Sequence, residues 1–301
     1  MYKIKQVPED FKVKEIIKID VKEKGSYCYF LLKKKNYTTV KAIEQIANVF
    51  GKRFKDFGFA GTKDKKAVTE QMVSAKGISK ARIEKIDLKD IEIEFKGYGD
   101  EPISLGDLEG NEFEIVVRNI ENKPEIKKRF VNYFGEQRFS VNNAETGKAI
   151  IKKDFKKAVE LILENEGDYE KDVEEYLESN ENDYVGALRK IKLKILKMFV
   201  HAYQSRLWND AVKDNLDKEE IPIIGFGTDS DLYEGINQRD FIIKQIPELS
   251  SEGGIRKVYA EAKDLVAGEL EKDELNQGKK IKLKFKLDKG CYATEFIKQN
   301  F

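Results

Sequence analysis

Reactive groups in this chain concentrate in the run Phe57-Gly-Phe-Ala-Gly-Thr-Lys-Asp-Lys-Lys-Ala-Val-Thr-Glu-Gln. Asp64 is a carboxylate flanked by Lys63, Lys65 and Lys66. Nearby cations favour its ionised form, and an ionised carboxylate can act as nucleophile or general base. The lysines beside it could hold an anionic backbone. The same residues also describe a solvated, charged hairpin turn, so spacing alone leaves both readings open. A phosphate loop fails, because Gly61-Thr-Lys63 lacks the G-x-x-x-x-G-K-[ST] spacing.

Two further segments could serve such a carboxylate. In Leu105-Gly-Asp-Leu-Glu-Gly-Asn-Glu-Phe, Asn111 and Phe113 stand two apart. On a strand they share a face, where an amide and an aromatic ring could read and stack a flat base. Base stacking of this kind contributes roughly 1–3 kcal/mol. The alternative is a turn Asn and a core Phe. Asn132-Tyr-Phe-Gly-Glu-Gln-Arg-Phe-Ser, with Gln137 and Arg138, is either a nucleic-acid platform or a packed domain junction. His201 lies beside an apolar helical stripe and reads as structural.

The elements that must carry these residues change texture along the chain. Tyr27–Leu32 reads as a buried strand, and Ala67–Ser74, Ile91–Phe95 and Phe113–Val117 alternate as half-buried strands. Thr38 or Thr39 can cap a helix that Gly51 stops, and Pro124 suits the first turn of a helix bearing Ile126 and Phe130. From Asn143 to about Leu216 the period is helical, with Phe199, Tyr203, Leu207 and Val212 on one stripe. Ile221–Gly227 reads as a short strand and turn. The tail returns to strands: Lys280–Leu287 alternates lysine with apolar residues, and a turn at Asp288–Gly290 precedes Tyr292–Ile297.

Composition bounds the rest. The 301 residues suggest one large or two ordinary domains. An apolar fraction of 40% with 18 Phe and 13 Tyr excludes wholesale disorder. A net charge of +1 excludes a uniformly basic nucleic-acid binder. It conceals an asymmetry, because residues 1–145 carry +5, 146–265 carry −6 and 266–301 carry +2. Two ends of one sign around an opposed middle fit a basic domain holding an acidic insertion. Two cysteines and one histidine exclude a disulfide framework, a multi-cysteine zinc site and any site needing two imidazoles. With no apolar run of membrane length and no apolar leader, a cytoplasmic protein without membrane attachment is expected.

Taken together, the motifs resemble the TruD family of pseudouridine synthases. The resemblance runs in order through Lys5-Gln-Val-Pro-Glu-Asp-Phe, Phe59-Ala-Gly-Thr-Lys-Asp-Lys-Lys-Ala-Val-Thr-Glu-Gln, Leu105–Phe113, Asn132–Phe139, Tyr203-Gln-Ser-Arg-Leu-Trp-Asn and Lys289-Gly-Cys-Tyr-Ala-Thr. Lys66, Trp208 and Cys291 depart from the usual residues without removing a reacting group. The resemblance implies an α+β fold: a mixed-sheet catalytic domain from residues 1–144 and 261–301, with an inserted, largely helical α/β domain at 145–260. It places RNA in the cleft between them. It implies isomerisation of a uridine in tRNA, at position 13, with other RNAs as further substrates, and with no cofactor, metal or obligate protein partner.

By the same resemblance Asp64 is catalytic, attacking C1′ or removing the C2′ proton, and Lys5 pairs with it. Phe113 would stack on the extruded uracil, and Asn111 would bond near Asp64 or the base. Lys63 and Lys65 would hold phosphates, and Arg138 would bind substrate. The competing readings are a non-catalytic RNA-binding protein on the same scaffold and a phosphotransferase built on Gly61–Asp64.

Overall fold

The computed structural model describes residues 1–139, 142–164, 169–228 and 230–301, with the side chains of all of these except 137 and 138. The chain forms two compact units, residues 1–130 with 261–301, and residues 131–260. The first carries 37 Lys and Arg against 30 Asp and Glu, a net +7, and the second is −6.

The strands, in chain order, are β1 (Phe11–Ile16), β2 (Tyr27–Lys35), β3 (Phe57–Phe59), β4 (Val68–Lys76), β5 (Ile91–Gly99), β6 (Gly110–Ile120), β7 (Arg129–Val131), β8 (Glu220–Ile223), β9 (Gly254–Lys257), β10 (Tyr259–Glu261), β11 (Lys263–Ala267), β12 (Glu271–Lys272) and β13 (Lys279–Asp288). The helices are α1 (Thr39–Phe50), α2 (Lys80–Ile83), α3 (Asn143–Ile151), α4 (Phe155–Leu163), α5 (Glu170–Ser179), α6 (Tyr184–Leu188), α7 (Leu193–Ala211) and α8 (Ala293–Asn300).

The first unit is built on a nine-stranded sheet in the order β11-β13-β6-β1-β4-β2-β5, with β12 beside β13 and β3 beside β4. The β1–β4 pair is parallel, while its neighbours β1–β6, β2–β4 and β6–β13 are antiparallel, so the sheet is mixed. Period-two alternation splits it into two faces. Lys12, Glu114, Lys282, Lys284 and Lys286 coat the outer one. Phe285, Phe113, Val13, Thr69 and Lys34 lie in one register row across the inner one.

Helix α1 covers part of the inner face. The Thr38 hydroxyl caps it by accepting from the Lys41 N–H at 3.2 Å, and Gly51, at φ +61°, ends it in the left-handed turn that glycine adopts without strain. Ala42, Ile43, Ile46, Ala47 and Phe50 pack against Phe30, Leu32, Val73 and Ile91. Each large apolar side chain buried there stabilises the fold by about 1.5–3 kcal/mol. The run from Tyr292 is helix α8, not a further strand. Ala293, Phe296 and Ile297 share a helical face, and Phe296 meets Phe285 of β13 at 4.5 Å.

No helix starts at Pro124. The Lys127 N–H instead donates to Asn300 Oδ1 at 2.7 Å, and Phe130 lies in strand β7 against Phe296. Ile126 and Phe130 are too few apolar positions to hold a helix face.

In the second unit, Leu196, Phe199, Val200 and Tyr203 of α7 pack on Ile150 and Ile151 of α3, Val159 and Ile162 of α4, and Phe241. Gly147 lets α3 approach closely, since a Cβ there would lie 2.0 Å from the Phe199 carbonyl oxygen. The unit begins at residue 131 rather than the expected 145. The cause is the Asn132–Phe134 segment, which packs inward. Phe134 meets Trp208 edge-on at 5.7 Å, and Arg256 lies 4.0 Å over the Phe134 ring while donating to the Asn132 carbonyl. His201 sits exposed on α7. No helix among the described residues is long and apolar enough to cross a membrane.

Candidate active site

Asp64 lies in the loop joining β3 to β4. Four buried polar side chains hold that loop through its backbone and one lysine. From β4, Gln71 Nε2 donates to the Gly61 carbonyl at 2.9 Å. From α1, Thr39 Oγ1 accepts the Lys63 N–H at 2.8 Å and donates to Gln71 Oε1 at 2.7 Å. From β2, Lys34 Nζ donates to the Asp64 carbonyl at 2.9 Å and the Tyr37 carbonyl at 2.5 Å, with the Lys63 carbonyl at 3.5 Å. From β1, Glu15 Oε2 accepts from Lys63 Nζ at 2.6 Å. Thr39 and Gln71 are wholly buried, and Lys34 is 1% exposed. Polar groups in such positions are costly unless bonded, and here the loop's own polar atoms satisfy them.

The clamped loop presents the Asp64 carboxylate to solvent, with its side chain 39% exposed. Oδ2 accepts from Lys5 Nζ at 2.5 Å. The Lys5 ammonium is itself 4.1 Å from the centre of the Phe11 ring, a cation–π contact. Lys5 has φ +54°, a left-handed conformation that costs a lysine about 1–2 kcal/mol. Its neighbours hold it there. Lys3 and Arg118 exchange backbone hydrogen bonds at 2.8 and 2.9 Å, and Asn276 Nδ2 donates to Gln6 Oε1 at 2.6 Å. The buried Arg118 guanidinium binds Asp10, Asp273 and Glu274. The N-terminal segment is thus tied to the end of β6 and the β12–β13 turn.

Asn111 and Phe113 do share a face of β6, the inner one. Asn111 pairs in register with Glu15 and with Leu287, and its Oδ1 is buried with no hydrogen-bond partner among the described residues. That orphan acceptor is what a ligand N–H would complete. Phe113 departs from the expected stacking surface. Its ring is 7% exposed, stacked on Phe285 at 5.4 Å and 23°, and meets the Phe11 ring at 6.0 Å. A central strand between β1 and β13 leaves no bare aromatic face there, and Phe113 instead supports the ring that carries Lys5.

Lys63 likewise departs from its expected phosphate role. Its side chain is 6% exposed and paired with a Glu15 carboxylate that is fully buried. Lys65, two residues on, is exposed. The side chain of Arg138 lies outside the described residues.

Sequence reasoning missed Lys34, Glu15, Thr39 and Gln71. For Lys34 a signal existed. Phe30, Leu32 and Lys34 alternate with Leu31, Lys33 and Lys35, so strand parity turns the middle lysine of the run inward. The partners of Glu15 and Thr39 lie 48 and 24 residues away along the chain, and no local spacing encodes them.

Comparison with known proteins covers the chain almost end to end. The family model described as tRNA pseudouridine synthase D (TruD) matches residues 2–174, 162–223 and 232–299. The chain is 32% identical to the tRNA pseudouridine synthase D of Aquifex aeolicus, over 99% of this chain and 98% of that one. It is also 32% identical to a Methanocaldococcus jannaschii protein named as a probable tRNA pseudouridine synthase D 2, over 99% and 91% of the two chains. A crystal structure from Methanosarcina mazei assigned to the same family superposes with a TM-score of 0.74 at 28% identity, covering 99% of this chain and 92% of that one. With nearly its whole length matched in sequence and in fold, the chain belongs to the TruD family of tRNA pseudouridine synthases.

Proposed function

We propose that this enzyme isomerises uridine 13 of tRNA to pseudouridine, with Asp64 as the reacting carboxylate and the unit formed by residues 1–130 and 261–301 as the catalytic one. The observation that carries the residue assignment is the Lys5–Asp64 pair. An accessible carboxylate, ion-paired through one oxygen, is mounted on a loop fixed by buried side chains. Preorganisation of that kind is what a single reacting group needs.

The reaction breaks the uridine N1–C1′ bond, turns the base and rejoins it through C5, so substrate and product are isomers. Asp64 either attacks C1′ or removes the C2′ proton. Lys5 stays ion-paired with the carboxylate and fixes its orientation toward the sugar. The free acceptor of Asn111 takes the imide N–H of the uracil and retains the detached base, while Phe113 backs Phe11 and so holds the Lys5 ammonium in place. The target nucleotide must leave its stack at a cost of a few kcal/mol, and phosphate contacts from exposed lysines such as Lys65 offset that cost.

The test is Asp64→Asn, with folding verified by circular dichroism. Conversion of uridine in purified tRNA should fall below detection. Wild-type conversion by the folded variant would remove Asp64 from the reaction. Mapping pseudouridine in tRNA treated with the wild-type enzyme reads the position directly.

A further inference from the structure

We infer that Lys34 is a positioning residue for the reaction: its buried ammonium holds the backbone of the Asp64 loop and thereby sets where the Asp64 carboxylate stands. The inference rests on Asp64 being the reacting group.

Lys34 occupies a core position of an interior strand, flanked in register by Thr69 of β4 and Ile91 of β5. The residues before it on that face, Phe30 and Leu32, are fully buried apolar side chains. A lysine there forfeits the hydration of its charge, and Leu or Met would fill the position without that cost. What the ammonium gains is a set of carbonyls: Asp64, Lys63 and Tyr37. Two of the three belong to the loop, and one belongs to Asp64 itself. Its three N–H groups match three carbonyl acceptors, and no apolar residue could hold that backbone.

The charges acting on Lys34 are the Asp64 carboxylate and the Lys63 ammonium, the latter neutralised by Glu15 of β1. The side chains beside it from α1 and β4 (Thr39, Thr69, Gln71) and from β5 (Ile91) carry no charge. Burial pushes the Lys34 ammonium down to about 8; Asp64 pulls against that fall and Lys63 adds to it. Near and above that pH the group becomes a neutral amine, with one donor fewer and no positive charge beneath the carboxylate. A purely structural lysine would change stability alone, whereas a positioning lysine changes the rate of the bound complex and its pH profile.

The experiment measures single-turnover pseudouridine formation and tRNA affinity for wild type, Lys34→Met, Lys34→Gln and Asp64→Asn, each checked for a cooperative circular-dichroism melt. For either folded Lys34 variant the rate should fall at least tenfold with tRNA Kd within threefold. The wild-type rate should fall as pH rises through about 8, a limb that the variants lack. A folded Lys34 variant within twofold of the wild-type rate overturns the inference. So does a variant that loses affinity at an unchanged rate. Should neither variant fold, the wild-type profile decides: a midpoint near 8 sustains the inference, and a rate flat from about pH 7 to 9 overturns it. Wild-type activity in Asp64→Asn would sink the Asp64 assignment separately.

Discussion

Replacing Glu15 or Lys63 decides whether Lys63 serves the fold or the RNA. The two side chains are 0% and 6% exposed and lie 2.6 Å apart. Breaking such a pair from one side leaves the other charge buried and uncompensated, which costs about 3–5 kcal/mol. Glu15→Gln preserves volume and keeps a carbonyl oxygen for the Met72 N–H that Glu15 Oε1 now accepts at 3.3 Å. Its cost should sit near the lower bound, about 3 kcal/mol. Lys63→Met leaves the carboxylate stranded and should cost about as much. The double variant strands no charge and should lose no more than either single, a coupling of about 3 kcal/mol.

The choice of probe matters for this cycle. Trp208 is the chain's single tryptophan and lies in the unit of residues 131–260, so its fluorescence reports on the wrong unit. Hydrogen exchange by mass spectrometry on peptides covering β1 and β4 reads the relevant opening free energy. The same Lys63→Met protein answers the RNA question. A phosphate-binding lysine would lower the slope of log affinity against log salt by about 0.7–0.9, and a buried structural lysine would leave it unchanged. Additive single losses, or a shallower salt slope, would refute the buried-pair reasoning.

Two further outcomes follow from the sheet. Phe113→Ala removes a ring packed between Phe11 and Phe285, so it should cost about 3–5 kcal/mol of stability; below its melting temperature, turnover should drop severely with only a modest change in tRNA Kd, and wild-type turnover would contradict the support of Lys5 through Phe11. On the outer face, burial acts to raise the Glu114 carboxyl, but hydrogen bonds from Lys12 and Lys284 and the charges of Lys12 and Lys282 hold it down to about 2. A depressed folded-state value gives stability that is fully present above about pH 4.5 and disappears as pH falls through about 2. Glu114→Gln should therefore cost at most about 3 kcal/mol at neutral pH, an upper bound because solvent screens the half-exposed lysines, and should converge with wild type near pH 2 in thermal melts; a gap of equal size at both pH values would show that the charge contributes nothing.

Much of the nine-stranded sheet and its covering helix is legible along the chain. Strict alternation over Lys280–Leu287 specifies a strand with one lysine face, and β13 has it. The cap at Thr38 and the stop at Gly51 bound α1. Lys5 and Asp64, expected to pair by family resemblance, stand 2.5 Å apart. Where local patterns were short, they misled. Pro124 has no helical face behind it, and Tyr292–Ile297 is long enough for either period until Phe296 finds Phe285.

The residues themselves determined the period of each long element, the opposed charge of the two parts and the identity of the carboxylate loop, because these are properties of neighbours along the chain. Folding in three dimensions decided which lysine does what. Lys63 and Lys65 look interchangeable in sequence, yet one is sealed against Glu15 and the other is bare. Lys34 lies in a run of three lysines and alone reaches Asp64's backbone. The physical reason is that a lysine's environment is set by strands and loops that arrive from tens of residues away, and the burial that gives each ammonium its partner exists only once the sheet has closed around it.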